Sequence, residues 1–474
     1  MMRVSWWRAL GLVPAIGSGA CWSGSIDGAA VAAGWQAELP AFAGAEGFGR
    51  EAVGWRGGDV VKVTTLDDRG PGSLRACAEG DRPRVCIFEV GGTIEVDSTI
   101  AVASNVYLAG QTAPGDGVQL RLRGSLESPL TILAAHDVVI RHLRLRPGSP
   151  WQSASSIDGI AILDSHEVIL DHLSVQYSTD ELVSIGSVRG SVHDVTVQDS
   201  LLAWGLDRAN HPKGKHSKGA LICSMDAEAE CGRITLLRNL FAHNRDRNPD
   251  LKGTGIGPVE IINNVFYDPI SQFGEFYDID GDLRVNYIGN TVMSGPSTRR
   301  SGVPYAVEIH NEYSPTFDAM VYVRGNIDGA HRTGASEPDE LVVRPGDRQW
   351  LAPAPFPPVT VEALDAKEAR EFVLANAGAT RPARDRLDRR AIDDVIYRSG
   401  RVIDDADEAG GWPSLSSGPV PADVDGDGMP GAWEVAHGTD PRAFDPWRDA
   451  DGDGWANLED YLNERAAGTV VTTQ

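Results

Sequence analysis

The sequence predicts an all-β solenoid, parallel strands wound into a β-helix, followed by a small α-rich tail. One observation is a recurring phrase. It reads Val139-Ile140-Arg141-His142-Leu143, then Ile169-Leu170-Asp171-His172-Leu173, then Thr196-Val197-Gln198-Asp199-Ser200. It continues as Leu236-Leu237-Arg238-Asn239-Leu240 and Ile261-Ile262-Asn263-Asn264-Val265, with weaker copies ending at Asn290 and Asn326. The second observation is the period. With the polar residue before the last apolar one as marker, copies fall at 142, 172, 199, 239 and 264, in steps of 30, 27, 40 and 25 residues. Periods of roughly 20–50 residues mark stacked coils that share one core, because no coil buries its apolar face alone. The third is a negative: each copy is a short β-branched strand, and no 3.6-residue stripe runs through the region.

Asn239, Asn264, Asn290 and Asn326 are expected either to stack as a hydrogen-bonded ladder at one bend or to serve ordinary turns. Unequal steps imply loops of different size on one face, where solenoids place their sites. Ser73 is expected to cap a helix through Leu74-Arg75-Ala76-Cys77 that plugs the start of the stack. After residue 330 the pattern fades. Residues 331–420 are rich in Pro, Asp and Arg and read as a wrapping segment and linker, with one helix at Val361 to Ala375.

The tail, residues 421–474, carries the sharpest motif. Asp423, Asp425, Asp427 and Glu434 supply oxygens at positions 1, 3, 5 and 12 of an EF-hand or dockerin-like loop, with Gly428 at position 6, and Met429 offers its carbonyl at position 7. Asp449, Asp451, Asp453, Gly454, Trp455 and Asp460 repeat the spacing with a shorter last acid. Crowded carboxylates repel one another unless a cation sits among them, so two Ca2+ ions are expected, in a structural role.

The formal net charge of −24 argues against nucleic acid as a partner. No apolar run reaches the ~18 residues of a membrane helix. Twelve Asp/Glu against three Arg concentrate −9 in the tail, whereas Arg208 to Lys252 is rich in Arg, Lys and His, an island suited to an anionic ligand. Residues 1–20 read as an export signal: Arg3 and Arg8, an apolar run Ala9 to Ile16, then Gly19 and Ala20. Ser18-Gly19-Ala20 before Cys21 is a poor lipid-anchor signal. The other four cysteines form local pairs, and export with short spacing favours Cys77–Cys86 and Cys223–Cys231 among three connectivities.

Residues 41–330 resemble the pectate lyase family. The resemblance rests on Ala43-Gly44-Ala45-Glu46-Gly47-Phe48-Gly49, Gly70-Pro71-Gly72-Ser73-Leu74-Arg75 and Ala109-Gly110-Gln111-Thr112-Ala113-Pro114-Gly115-Asp116. Val373 to Ile403 and the tail are similar to extensions of some members. The resemblance implies a right-handed parallel β-helix with a calcium-bearing cleft and an acidic polysaccharide as substrate. Asp158 stands thirteen residues before Asp171-His172, as the family's first calcium aspartate does. Asp180 falls at its second calcium acid. Ser184 stands where a third is usual, and Glu181 is expected to compensate. His216-Ser217-Lys218 resembles the segment whose lysine contacts substrate carboxylate. Arg247-Asn248-Pro249 resembles the segment whose arginine is the base, and Lys252 matches a second substrate-binding position. His172 and His216 read as structural coil residues.

The implied chemistry explains the residue types. Eliminating across a 4-linked uronate removes the C5 proton beside the C6 carboxylate, and the charge that develops needs cations fixed beforehand. Ca2+ at Asp158, Asp180 and Glu181 would bridge to that carboxylate. Lys218, Lys252 and Arg245 would add positive charge, and Arg247 would take the proton despite a free pKa above 12. The sequence therefore reads as a secreted, monomeric uronate-polymer lyase. A β-helix glycoside hydrolase using Asp158 and Asp180, or a non-catalytic glycan-binding solenoid, are the alternatives.

Overall fold

The computed structural model describes residues 39–124, 128–148, 155–225, 229–253, 255–279, 281–299 and 302–468; residues 1–20, expected as an export signal, and Cys21 lie outside them. Among the described residues, three parallel sheets of ten, eight and nine strands form the β-helix, and each complete coil gives one strand to each sheet. One coil runs His166–Asp171, Ser174–Gln176 and Glu181–Ser187, and the next begins at Ser191–Gln198. Inward positions stack in columns. Val138, Val168, Val195, Ile234, Val259, Val285 and Val321 are successive partners in register, and all are fully buried. Burying each such side chain stabilises the stack by about 1.5–3 kcal/mol, which is why β-branched residues recur at this position.

The asparagine ladder is present. The backbone N–H groups of Asn239, Asn264 and Asn290 donate to the side-chain oxygens of Asn264, Asn290 and Asn326 at 2.9, 2.8 and 2.8 Å. Ser200 joins it by donating its N–H to Asn239 Oδ1 at 2.9 Å. Each side-chain amide also donates to an inner carbonyl, Val197 O for Asn239 and Leu236 O for Asn264. The preceding residue in each coil bends left-handed: His142, His172, Asp199, Arg238 and Asn263 have φ between 49° and 58°. This corrects the period. The first three markers are bend residues and the last two are ladder residues one position later. Val197 pairs with Leu236, so that step is 39 rather than 40 residues. Asn264→Ala should leave the buried Asn239 N–H unpaired and cost about 1–3 kcal/mol, read as a lower urea midpoint with unchanged slope.

Ser73 Oγ accepts from Ala76 N at 3.2 Å and starts the helix Leu74–Ala78, whose Leu74, Cys77 and Ala78 close the apolar stack. Cys77–Cys86 ties this plug to the strand Arg84–Phe88, and Cys223–Cys231 joins Lys218–Met225 to Glu230–Leu237.

The wrapping segment differs from expectation. Its first α-helix is Ala366–Asn376, begun by Asp365, whose carboxylate accepts from Lys367 N. Before it, Leu364 N donates to Asn263 Oδ1, which holds that stretch extended along the coils. A second helix, Arg386–Tyr397, crosses the nine-stranded sheet. Asp388 lies in its buried face, held by Arg146 at 3.0 Å, Ser174 at 2.6 Å and Gln176 at 2.8 Å. In the tail, the helices Gly431–His437 and Asn457–Ala467 pack on the body. Met429, Trp433, Leu458 and Tyr461 are buried with Phe42, Trp55, Ile87 and Tyr107. Lys62–Asp423 at 2.9 Å and Arg56–Glu459 at 2.6 Å add ion pairs across this contact.

Candidate active site

The predicted residues gather at the amino-terminal ends of adjacent strands in the eight-stranded sheet. Asp158 precedes Ile160–Leu163, Asp180 precedes Glu181–Ser187, Lys218 opens Lys218–Met225, and Arg247 precedes Asp250–Leu251. Glu181 pairs with Lys218, and Lys218 bridges to Asp246, so these groups occupy successive rungs about 4.8 Å apart.

Oxygens of Asp158, Asp180 and Glu181 lie within 4.8 Å of one another. Asp158 Oδ1 accepts from Glu181 N at 3.1 Å, and Ser184 hydrogen-bonds the same carboxylate. Burial, then the charge of Asp180, pushes Asp158 well above the usual carboxylate range. Burial acts the same way on Asp180, but hydrogen bonds from His211, His216 and Ser156 outweigh it and hold Asp180 strongly acidic. His216 Nε2 lies 2.6 Å from Asp180 Oδ1 and His211 Nε2 3.3 Å from Oδ2, with the two rings stacked 3.7 Å apart. His216 thus belongs to the cleft, and His211 joins it from the loop before Lys218. The spacing His216-x-Lys218 was the available signal, since alternate residues leave a strand on one face.

The cations are matched. Arg247 pairs with Glu181 and lies 3.3 Å from Asp250, with φ of 58°, a left-handed backbone that only firm surroundings maintain in a branched-chain or long residue. Lys218 pairs with Asp246, and Arg245 with Asp207. Lys252 stands just beyond Asp250–Leu251, close enough to act on Asp250. Burial pushes Asp250 up to about 6, and its Oδ1 has no hydrogen-bond partner. A cleft of about 350 Å³ opens beside Asp158 and Glu181.

The tail loops form a second acidic centre. Asp423 Oδ1 accepts from Gly426 N at 2.8 Å and Oδ2 from Gly428 N at 2.9 Å. Asp427 Oδ1 accepts from Met429 N at 3.0 Å. Gly426 and Gly428 have φ of 86° and 93°, which the tight loop requires of glycine. Asp425 Oδ2, Asp427 Oδ2 and both oxygens of Glu434 remain buried without partners. Burial and the neighbouring aspartates push Asp427 and Glu434 up to about 7. Asp445, not singled out by spacing, adds to the charge on Glu434. The second loop repeats the backbone bonds through Asp449, Asp451 and Asp453, ending with Trp455 N at 2.9 Å from Asp453. Asp460 is likewise pushed up to about 7, by burial and these acids. Converging carboxylate oxygens without donors fit a hard cation.

No family model matches the chain. It is similar to "Probable pectate lyase C" of Emericella nidulans, 36% identical over 445 residues, covering 92% of this chain and 95% of the relative. It is also 36% identical over 431 residues to "Probable pectate lyase C" of Aspergillus flavus, covering 90% and 94%. A solved Bacillus subtilis pectate lyase, an arginine-to-lysine mutant, superposes with a TM-score of 0.50 at 12% identity, over 71% of this chain and 96% of that one. This last likeness concerns the fold alone.

Proposed function

The chain belongs to the pectate lyase family, and on that footing we propose that it is an exported lyase that cleaves a 4-linked uronic-acid polymer, pectate above all, by calcium-assisted β-elimination. The observation that supports this reading is the meeting of Asp158, Asp180 and Glu181 with Arg247 and Lys218 on neighbouring rungs. Asp158, Asp180 and Glu181 would hold Ca2+, with Ser184 supporting Asp158. When bound, Ca2+ supplies the positive charge that anchors a substrate carboxylate and offsets the charge developing there. Lys218 and Lys252 engage carboxylates of the bound polymer, and Arg245 braces the loop through Asp207. Arg247 takes the C5 proton, the C4–O bond breaks with its electron pair going to the leaving oxygen, a C4–C5 double bond forms, and solvent water protonates that oxygen. His211 and His216 hold Asp180 charged and oriented.

A hydrolase would need two carboxylates about 5–9.5 Å apart astride the scissile bond. Asp158 and Asp180 instead cluster with Glu181, one oxygen of each within 4.8 Å of the others, the convergence a cation takes up. The deciding experiment is incubation with polygalacturonate and calcium. A 4,5-unsaturated product absorbing in the near ultraviolet supports elimination. Saturated fragments would indicate hydrolysis, and an intact polymer would indicate binding alone.

The tail loops would hold two further Ca2+ ions through Asp423, Asp425, Asp427, Met429, Glu434 and Asp449, Asp451, Asp453, Trp455, Asp460. Their role is structural, because the tail helices cover apolar surface of the body. Chelation of the full-length protein should lower its melting temperature, since each site saturated at 100-fold its Kd contributes about 2.7 kcal/mol. An unchanged melting temperature in the chelated protein would sink this assignment.

A further inference from the structure

The groups assigned above to calcium and to carboxylates run along the stack of coils rather than along any one strand. Asp158, Glu181 and Lys218 stand on three successive rungs of the eight-stranded sheet, and Arg247 and Lys252 flank the strand of the fourth, Asp250–Leu251. A polymer that meets them all crosses the strands. The next two rungs on its path are Gly274–Tyr277 and Val307–His310. Phe276 and Ile309 point into the core, so the alternating Glu275, Tyr277, Glu308 and His310 point outward. Lys252 directly follows Leu251, the partner of Phe276, and so comes level with Tyr277.

Three aromatic rings gather there. Tyr277 and His310, partners in register, stack at 4.5 Å with their planes 9° apart. Tyr313 lies 5.8 Å from the first and 6.4 Å from the second, tilted 53° to both, so it leans across the pair instead of extending the column. Its place is fixed from below. The fully buried Asp278 carboxylate accepts from Tyr313 N and from Ser314 N, each at 3.0 Å. Ser314 Oγ in turn accepts from Thr316 N at 3.1 Å and Phe317 N at 3.2 Å. Tyr313 is nonetheless 58% exposed. A solvated ring on a pinned loop is neither core packing nor a loose surface residue. The acids around it are answered from within the chain: Glu275 has His310 at 3.6 Å, and Glu308 has Arg344 at 2.9 Å, which also faces Glu312.

A pyranose ring has an apolar face of C–H groups, and an aromatic face covers it without needing an opposite charge. We propose that Tyr313, braced by Tyr277 and His310, is a stacking subsite for a galacturonate residue of the polymer. It lies beyond the reacting sugar, toward the carboxy-terminal end of the stack. Lys252, one rung nearer to Arg247, takes a carboxylate of the intervening chain. Tyrosine suits the task because its rigid side chain offers a large contact at little cost in conformational freedom. The contact leaves the uronate ionised and its carboxylate in water, so it adds affinity only for chains long enough to reach it. This rests on the lyase reading above and deepens it, adding a binding position that sets which chain lengths are cleaved well.

The test compares kcat/KM for unsaturated-product formation from trigalacturonate and from hexagalacturonate at saturating calcium. The unaltered chain should favour the hexamer. Tyr313→Ala, and separately Tyr313→Gln, should lower kcat/KM on the hexamer by about three- to tenfold, the scale of one aromatic stacking contact, and leave the trimer nearly unchanged. Tyr313→Phe keeps the ring and should keep the hexamer's advantage. Thermal melts report the fold of each variant. A hexamer advantage that survives in the folded alanine or glutamine variant overturns the proposal. So does an equal loss in Tyr313→Phe, which would place the contact at the hydroxyl. Failure to form unsaturated product from either oligomer would instead overturn the lyase reading itself. Calorimetric titration with hexagalacturonate then decides the stacking alone: weaker binding by Tyr313→Ala upholds it, and equal binding overturns it.

Discussion

Arg247→Ala is expected to lower turnover by about 10²–10⁴-fold, the usual cost of removing a general base, with a much smaller change in KM. Arg247 reaches the cleft from a left-handed residue beside Glu181 and Asp250. Its loss leaves two largely buried carboxylates without their cation, so some loss of stability accompanies the loss of rate. Kinetics therefore belong well below the melting temperature of the variant, with circular dichroism as a check. Arg247→Lys should not restore turnover, because a shorter point charge cannot keep both partners of a planar fork. Lys218→Ala should weaken binding as well as turnover, since its carboxylate partner is already present in the bound substrate. If Arg247→Ala keeps more than about a tenth of the turnover, above the range for a lost base, the proton goes elsewhere.

What the sequence made legible follows from locality. The coil strands were readable because each carries the same inward residues, and the Asn239 to Asn326 ladder because one side chain meets one bend per coil. The disulfide partners lie nine and eight residues apart. The cleft residues Asp158, Asp180, Lys218 and Arg247 could be named because short local motifs resemble the family's, and the fold sets each at the start of a strand in consecutive coils. What escaped depends on distant partners. Asp388 interrupts an apolar stripe and hid the helix Arg386–Tyr397, since only the fold brings Arg146, Ser174 and Gln176 to it. His211 became visible only when its loop folded back onto Asp180. The basic island looked like free positive charge, yet Asp207, Asp246, Glu181 and Asp250 answer three of its cations. Charge counted along a chain does not reveal how it is paired in space.

That pairing bears on Asp180→Asn, which should raise the calcium concentration needed for half-maximal activity by at least about tenfold, the lower end of what a metal site loses even with a merely orienting partner. Asp180 is held firmly ionised, because His211, His216 and Ser156 offset its burial. Asparagine keeps the shape and part of this hydrogen bonding but removes the charge. Asp158, relieved of its neighbour's repulsion, cannot replace a missing ligand charge. His216→Ala should move the calcium requirement the same way by a smaller factor, since it perturbs Asp180 without removing it. Asp423→Asn supplies the contrast: it should lower the melting temperature and leave the calcium requirement of turnover unchanged, because its loop packs beside Lys62 rather than in the cleft. Because Ser184 supplies a hydroxyl where a third acid would strengthen the site, calcium uptake by the cleft should tighten when polymer is present, and titration with and without oligogalacturonate reads this directly. An unaltered calcium requirement in Asp180→Asn would remove Asp180 from the cation site and return it to a turn held by two histidines.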